Sequence, residues 1–131
     1  MRFAVDRLDH LVLTCQDIET TCAWYQRVLG MEIEEYGEDR RMALRFGGQK
    51  INLRKALPGV FARAAGAAPG SADLCFATGV PAADIIGQLH ACGVAVERGP
   101  VPRLGAWGPV TSVYCRDPDG NLIEIATYLS V

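Results

Sequence analysis

Long apolar runs and a strong net charge are both missing from this chain of 131 residues, whose formal charge is −2. No apolar run approaches the ~20 residues that a membrane-spanning helix needs. Charged residues also interrupt the opening stretch MRFAVDRLDH, so we expect no signal peptide there. Because the charge is small and negative, electrostatics favour neither nucleic acid nor an anionic membrane as a partner.

Paired cysteine motifs are missing as well. The chain has five cysteines, at positions 15, 22, 75, 92 and 115, and none of them form a CxxC pair. An odd number without such pairs argues against a disulfide scaffold and against a zinc–thiolate site. We therefore expect reduced thiols in a cytoplasmic protein.

An internal repeat is what the chain does contain. LDHLVLT and SADLCFAT both predict apolar strands, with His10 and Asp73 at equivalent places. A helical pattern follows each strand and stops at a glycine, Gly30 or Gly93, 20 residues after His10 or Asp73. Short alternating segments come next, and each half closes with a glycine-led strand, GQKINLRK or GNLIEIAT. The order strand, helix and about three strands therefore occurs twice.

This repeat predicts one α+β domain built from two βαβββ modules. The first module covers residues 1–55 and the second covers residues 71–131. Residues 56–70 between them are rich in Ala, Gly and Pro and are typical of a linker or a flexible flap.

The strands predicted to open and to close each module carry polar residues on the face opposite their bulky aliphatic side chains. Strand side chains alternate between two faces, and helices must cover the aliphatic one. The polar residues left on the other face are His10, Asn52, Asp73 and Glu124. An isolated buried carboxylate is costly, so Glu124 needs a cation, a hydrogen-bond network or a metal as its partner.

The stretches LDHLVLTCQDIETTCAWYQRVLGMEI and YCRDPDGNLIEI resemble the vicinal oxygen chelate superfamily, the group of glyoxalases, bleomycin resistance proteins and extradiol dioxygenases. The resemblance covers nearly the whole chain. PGSADLCF and the final stretch from GPVPRLGAWGPV onward are similar to small glyoxalase-domain proteins. The resemblance implies two βαβββ modules that form a cupped mixed sheet, a homodimer, and a divalent metal in the cup.

The same resemblance implies the site residues. His10 matches the first metal ligand of the family and Glu124 the last, which is also the catalytic base of glyoxalase I. Asp73 stands where relatives usually have His, and Asn52 stands where they have Glu, Gln or His. We expect His10, Asp73 and Glu124 to bind the metal, and Mn²⁺, Mg²⁺, Fe²⁺, Zn²⁺ and Ni²⁺ all remain open.

Four side chains are candidates for contact with the substrate or for the walls of its pocket. Asn52 and Arg54 share a strand face, and Arg54 could pair with a carboxylate or phosphate of a substrate or could neutralise Glu124. Tyr114 and Trp107, near the loop GPVPRLGAWGPV, are candidate pocket walls, with the core or a dimer interface as their alternative places. No neighbouring residue predicts a lowered pKa for Cys75, so we expect that thiol to be inert.

These features predict a metal-dependent enzyme that acts on a small molecule with neighbouring oxygens. The activity would be that of a lyase or isomerase, similar to lactoylglutathione lyase, or that of a ring-cleaving dioxygenase. The alternative is a metal-free protein that binds and sequesters a drug or antibiotic, as bleomycin resistance proteins do. Whether the cup forms within one chain or between two chains stays open at this level.

Overall fold

The structure is a computed structural model that describes residues 1–57 and 63–128. Residues 58–62, inside the predicted linker, and residues 129–131 lie outside the described residues. The first half of the chain contains β1 (Leu11–Cys15), α1 (Ile18–Leu29), β2 (Glu32–Tyr36), β3 (Arg41–Phe46) and β4 (Gln49–Lys55). The second half contains β5 (Asp73–Thr78), α2 (Ala82–Ala91), β6 (Arg98–Gly105), β7 (Gly108–Arg116) and β8 (Leu122–Tyr128).

Each half forms its own four-stranded mixed sheet. The strand orders are β1-β4-β3-β2 and β5-β8-β7-β6, and β1 pairs with β4, and β5 with β8, in parallel. The remaining neighbours are antiparallel. The α+β fold of two βαβββ units that the sequence predicts is therefore confirmed.

The two helices end close to the glycines that the sequence indicates. α1 ends at Leu29, and Gly30 adopts the left-handed conformation with φ 69°, which glycine reaches without steric cost. α2 begins after Pro81 and ends at Ala91, two residues before Gly93. No helix among the described residues is long and apolar enough to cross a membrane.

The strands bury the faces that the sequence pattern predicts. On β1 and β4, Leu13 and Ile51 are almost completely buried, whereas Val12 is 41% exposed. On β8, Ile123 and Ile125 are buried and Glu124 between them is only half-buried. The aliphatic face of each sheet therefore packs inward and the polar face is left open.

The aliphatic faces of both sheets meet in one core together with both helices. This core joins residues of the first half, such as Leu13 and Tyr25, to residues of the second half, such as Leu89, Cys115 and Ile123. Because side chains alternate along a strand, the polar faces of the two sheets point away from this common core. That placement decides where the candidate site residues lie.

Hydrogen bonds also connect the two halves. Tyr25 Oη on α1 donates to Asp117 Oδ2 in the turn before β8, at 2.6 Å. Gln88 Nε2 on α2 donates to the carbonyl of Val28, and Arg27 donates to the carbonyl of Cys92, so the helices are linked in both directions. Buried polar groups with partners of this kind fix one relative placement of the halves.

Candidate functional site

The polar face of the first sheet carries a cavity of about 890 Å³, which we call the first cavity. This volume lies within the range of small-molecule binding sites. The cavity is lined by Arg7, Leu8, Asp9, His10, Tyr36, Arg45, Gly47, Gly48, Gln49, Lys50 and Asn52. Two of the predicted site residues, His10 and Asn52, therefore lie in one cavity.

His10 is held by the residue before it. Its Nδ1 atom lies 2.8 Å from Asp9 Oδ2, and this hydrogen bond lowers the pKa of the Asp9 carboxyl from its usual value. A carboxylate on one ring nitrogen fixes the imidazole tautomer and orientation, as it does for many histidines that bind metals through the other nitrogen. The Nε2 atom of His10 is therefore the one suited to a ligand.

Asn52 presents an amide oxygen that lacks a partner. Its Oδ1 atom is buried and accepts no hydrogen bond within the described part of the chain. The residue lies on β4, with Val12 as its Cα neighbour on β1 and Ala43 on β3, and neither side chain can donate a hydrogen bond. A buried acceptor without a donor is costly, so an oxygen placed like this favours a bound donor or cation.

The first cavity has a small surplus of positive charge. Arg7, Arg45 and Lys50 line it, against one lining carboxylate, Asp9. Arg7 lies 3.9 Å from Asp9, Arg45 forms an ion pair with Glu34 beside the cavity, and Lys50 Nζ lies 3.5 Å from the centre of the Tyr36 ring. The surplus positive charge is complementary to a carboxylate.

The polar face of the second sheet carries a second cavity of about 370 Å³. Its lining residues are Cys75, Ala77, Leu104, Gly105, Ala106, Trp107, Val110, Glu124, Ala126 and Tyr128. Glu124 is the only charged residue among the described ones that line it. The second cavity is therefore apolar apart from one carboxylate.

Glu124 is held from both neighbouring strands. Ser112 on β7 is fully buried, and its Oγ donates to Glu124 Oε2 at 2.6 Å. Cys75 is the Cα neighbour of Glu124 on β5. Burial, and next the Glu124 charge, raise the pKa of the Cys75 thiol to about 11. The thiol therefore stays protonated at neutral pH, which agrees with the expectation that it is no nucleophile.

The remaining predicted residues lie around these cavities. Asp73 is exposed at the start of β5, on the same strand face as Cys75. Tyr114 is the Cα neighbour of Glu124 on β7, and its Oη accepts a hydrogen bond from Arg103 Nε at 3.1 Å. Arg54 is half-buried on β4, and the described residues that line the two cavities do not include it.

The two cavities share no lining residue among the described ones. Within the described residues of one chain, no three His, Cys, Asp or Glu side chains lie close enough together to hold a metal. A single chain thus presents His10 and Asn52 at one place and Glu124 at another.

Sequence reasoning missed two groups at these cavities. One is Ser112, which lies two residues before Tyr114 and so shares its strand face, but only the pairing of β7 with β8 shows that it reaches Glu124. The other is the segment Arg7–Asp9, whose contribution to the first cavity has no periodic signal in the sequence.

Comparison with known proteins finds one matching family model and relatives that are similar over nearly the whole chain. The family model of the Glyoxalase/Bleomycin resistance protein/Dioxygenase superfamily matches residues 7–125. The virulence protein STM3117 of Salmonella typhimurium is 46% identical over 129 residues, which cover 98% of this chain and 89% of that protein. The glyoxalase domain-containing protein RDO1 of Mycosarcoma maydis is 46% identical over 127 residues, covering 97% and 71%.

Solved structures share the fold. An integron cassette protein from V. cholerae superposes with a TM-score of 0.92 at 46% identity, covering 98% of this chain and 100% of that one. More distant structures below 25% identity support the fold alone. They include a lactoylglutathione lyase from Agrobacterium tumefaciens (TM-score 0.71, 23% identity, coverage 95% and 95%), the antibiotic-binding protein TnmS3 from Streptomyces (0.74, 22%, 98% and 100%) and the fosfomycin resistance protein FosX from Listeria monocytogenes with Mn(II) (0.66, 18%, 94% and 90%).

Proposed function

The chain belongs to the Glyoxalase/Bleomycin resistance protein/Dioxygenase superfamily, and from that premise we propose that it is a metal-dependent enzyme acting on a small molecule with two neighbouring oxygen atoms. The observation that carries this proposal is that two potential metal ligands, one of them a buried oxygen without a partner among the described residues, lie in the first cavity. His10 has Nδ1 occupied by Asp9 and Nε2 left for a ligand, and buried Asn52 Oδ1 lies in the same cavity. Together they favour a bound cation.

The available donors fit a divalent metal. His10 supplies an imidazole nitrogen and Asn52 an amide oxygen, while Asp73 and Glu124 supply carboxylates from the second half. This oxygen-rich set suits Mn²⁺, Fe²⁺ or Mg²⁺ and also accommodates Zn²⁺ or Ni²⁺. When bound, such a metal supplies Lewis acidity to neighbouring substrate oxygens. The FosX relative with Mn(II) is consistent with this choice of metals.

We propose that the complete site forms between two copies of the chain. The polar faces of the two sheets point away from the shared core, so His10 and Glu124 of one chain lie in separate cavities. If the first cavity of one copy faces the second cavity of the other, both sets of donors meet. The charges favour this pairing, because the first cavity has a small surplus of positive charge and the second carries a carboxylate. The active species would then be a homodimer.

Within that site the residues of this chain have distinct roles. Glu124 is the proposed base, and Ser112 fixes its Oε2 so that the carboxylate stays oriented for proton transfer. Tyr114, beside Glu124 on the neighbouring strand, and Asn52 and Arg54 from the other half are the proposed substrate contacts. The apolar second cavity would keep water from the reacting atoms.

The test is complementation between two damaged copies. His10→Ala and Glu124→Ala proteins are each expected to lose bound Mn²⁺ when loaded and analysed for metal. Mixed in equal amounts after unfolding and refolding, random pairing gives mixed dimers with one intact site each. Half of the dimers in the refolded mixture should be mixed dimers, so the metal content of the whole mixture should return to about a quarter of the wild-type value.

Wild-type metal content in either single variant would rule out that residue as a ligand. If both single variants lose metal and the mixture gains none, the site lies within one chain. Two assays then separate the reaction types. Oxygen uptake with a catechol would indicate a ring-cleaving dioxygenase, whereas isomerisation of a thiol–aldehyde adduct would indicate an enzyme similar to lactoylglutathione lyase. The lyase type is our first choice, because His10 and Glu124 match two of its four ligand positions.

A metal-free binding protein is the second candidate function. Glu124 already accepts a hydrogen bond from Ser112, and His10 is already paired with Asp9, so both have partners without a metal. The antibiotic-binding TnmS3 has the same fold. If the chain is a metal-free binding protein, chelators and Glu124→Ala should both leave ligand binding unchanged. If it is the metal-dependent enzyme, both treatments should abolish its activity.

A further inference from the structure

The first nine residues form an exposed segment, which we call the N-terminal arm. It contains no helix or strand, and every residue in it is exposed. Three of its apolar side chains are largely exposed to solvent: Phe3 is 90% exposed, Val5 is 83% exposed and Leu8 is 74% exposed. Apolar side chains grouped like this mark an interaction surface.

The turn between β6 and β7 forms a second exposed apolar surface, the hairpin tip (residues 104–107). Leu104 is 84% exposed and Trp107 is 89% exposed. The tip is anchored, because the backbone N–H of Trp107 donates to Tyr128 Oη at 3.0 Å and the two rings lie 6.1 Å apart. It therefore presents its side chains from a fixed position.

We propose that the N-terminal arm of one copy packs against the hairpin tip of a second copy and covers the mouth of the shared site. This inference rests on the proposed function, in which the first cavity of one copy faces the second cavity of the other. Leu8 of the arm lines the first cavity, and Leu104 and Trp107 line the second. Joining the cavities brings these exposed apolar surfaces to the rim of the same site.

Reach and charge both support a second copy as the partner. Arg7, Leu8 and Asp9 line the first cavity, and the six residues before them, if extended, reach up to about 20 Å beyond its rim. The arm carries two arginines, Arg2 and Arg7, against two aspartates, Asp6 and Asp9, so it has no net charge that would draw it to an anionic membrane. The arm instead exposes apolar side chains, and the hairpin tip exposes apolar side chains that can pack against them.

The experiment compares an arm variant with a matched polar control. Phe3→Ser combined with Val5→Ser removes the apolar contacts, whereas Arg2→Ser combined with Asp6→Ser changes the same arm without touching them. Sedimentation over a dilution series should show a dimer Kd raised on the order of tenfold or more for the arm variant, and within about twofold of wild type for the control. Trp107→Ser should weaken the dimer too, and adding it to the arm variant should weaken the dimer little further.

Tryptophan quenching gives an independent readout. The chain has two tryptophans, and Trp24 is only 8% exposed, so acrylamide reports mainly on Trp107. In the wild-type dimer Trp107 should be protected from acrylamide. In the arm variant, measured at a concentration that keeps it dimeric, Trp107 should be accessible to acrylamide. An accessible Trp107 in the wild-type dimer, or an arm variant that behaves like the control, would overturn the inference.

Metal content separates this inference from the proposed function. If the mixed His10 and Glu124 variants regain metal but the arm variant dimerises normally, the shared site stands and the arm contact is wrong. If the chain stays monomeric at every concentration, the shared site and the arm contact both fail.

Discussion

Ser112 is the residue on which the orientation of Glu124 depends. It is fully buried and donates to one carboxylate oxygen at 2.6 Å. Removing the hydroxyl leaves that oxygen without its donor and lets the carboxylate turn. In the proposed site Ser112 would act on the ligand Glu124 rather than on the substrate.

We expect Ser112→Ala to weaken Mn²⁺ binding about tenfold, because hydrogen bonds to metal ligands typically contribute that much to affinity. Titration calorimetry with Mn²⁺ on the metal-free protein measures this loss. Thr111→Ala is the control, since Thr111 is on the same strand but points to the other face of the sheet. Equal affinities for both variants would mean that Ser112 does not orient a ligand.

At the scale of residues, the sequence was sufficient to predict which side chains leave the core. Alternation along β1, β4 and β8 placed His10, Asn52 and Glu124 on the polar faces, and burial of their neighbours agrees. Ser112 could not be found in this way, because its contact depends on strand pairing. Serine also gives no sequence signal when it is buried for a hydrogen bond.

Helix α1 is tied to the second half of the chain by the turn before β8. Asp117 Oδ2 accepts from Tyr25 Oη at 2.6 Å and from Asn121 Nδ2 at 2.7 Å, and Oδ1 accepts the backbone N–H groups of Asp119 and Asn121. Asp117 is buried, and burial raises the pKa of the Tyr25 hydroxyl, so that hydroxyl stays protonated and remains a donor. One carboxylate therefore organises a turn and joins two elements.

Tyr25→Phe should lower the free energy of unfolding by about 1.5–3 kcal/mol, the usual contribution of a hydrogen bond to a charged group. Urea unfolding at neutral pH measures this loss. Tyr36→Phe is the matched control on the partly exposed β2, with an expected change within about 0.5 kcal/mol. A loss no larger than that of the control would show that Asp117 finds another donor.

Periodicity and the glycine stops predicted both helices from sequence. The proline and glycine of the sequence DPDG, Asp117 to Gly120, are typical of a turn. What the local sequence could not reveal is that Asp117 reaches Tyr25, because 92 residues separate them along the chain. Long-range partners of this kind depend on the assembled fold.

At the scale of the molecule, two buried thiols make stability depend on alkaline pH. Burial raises the pKa of Cys15 and Cys115 to about 11, from 9.0 for a free thiol. Between these values the unfolded chain has released protons that the folded chain still holds. Stability from these thiols is full below pH 9 and falls as the pH rises toward 11.

We therefore expect the free energy of unfolding, measured by urea titration under reducing conditions, to decline between pH 9 and pH 11. Cys115→Ala should decline less steeply over this window, because one buried thiol no longer titrates. The lost side chain also lowers its stability at every pH, so the slope and not the absolute value is the measure. An unchanged slope would show that Cys115 ionises as readily in the folded chain as in the unfolded one.

The packing of the two halves marks the limit of prediction from this sequence. The pattern showed that each sheet has one aliphatic and one polar face, but not which aliphatic faces share a core. The pattern predicts that Leu13 and Ile123 are both buried, and two separate cores would bury them as well as the common core that the structure shows. Because the two aliphatic faces share one core, the candidate site is divided between two cavities. Only the structure shows this division.

Neither half of this chain could keep its aliphatic face covered alone, because side chains from both meet around Tyr25 and Leu89. If the repeat arose by duplication of a gene for one βαβββ unit, the ancestral short polypeptide must have paired with itself to stay in solution. Fusion of the two gene copies would then have replaced an association that weakens on dilution with a covalent connection. The two halves would afterwards have been free to diverge, which would account for the histidine at the start of one and the aspartate at the start of the other.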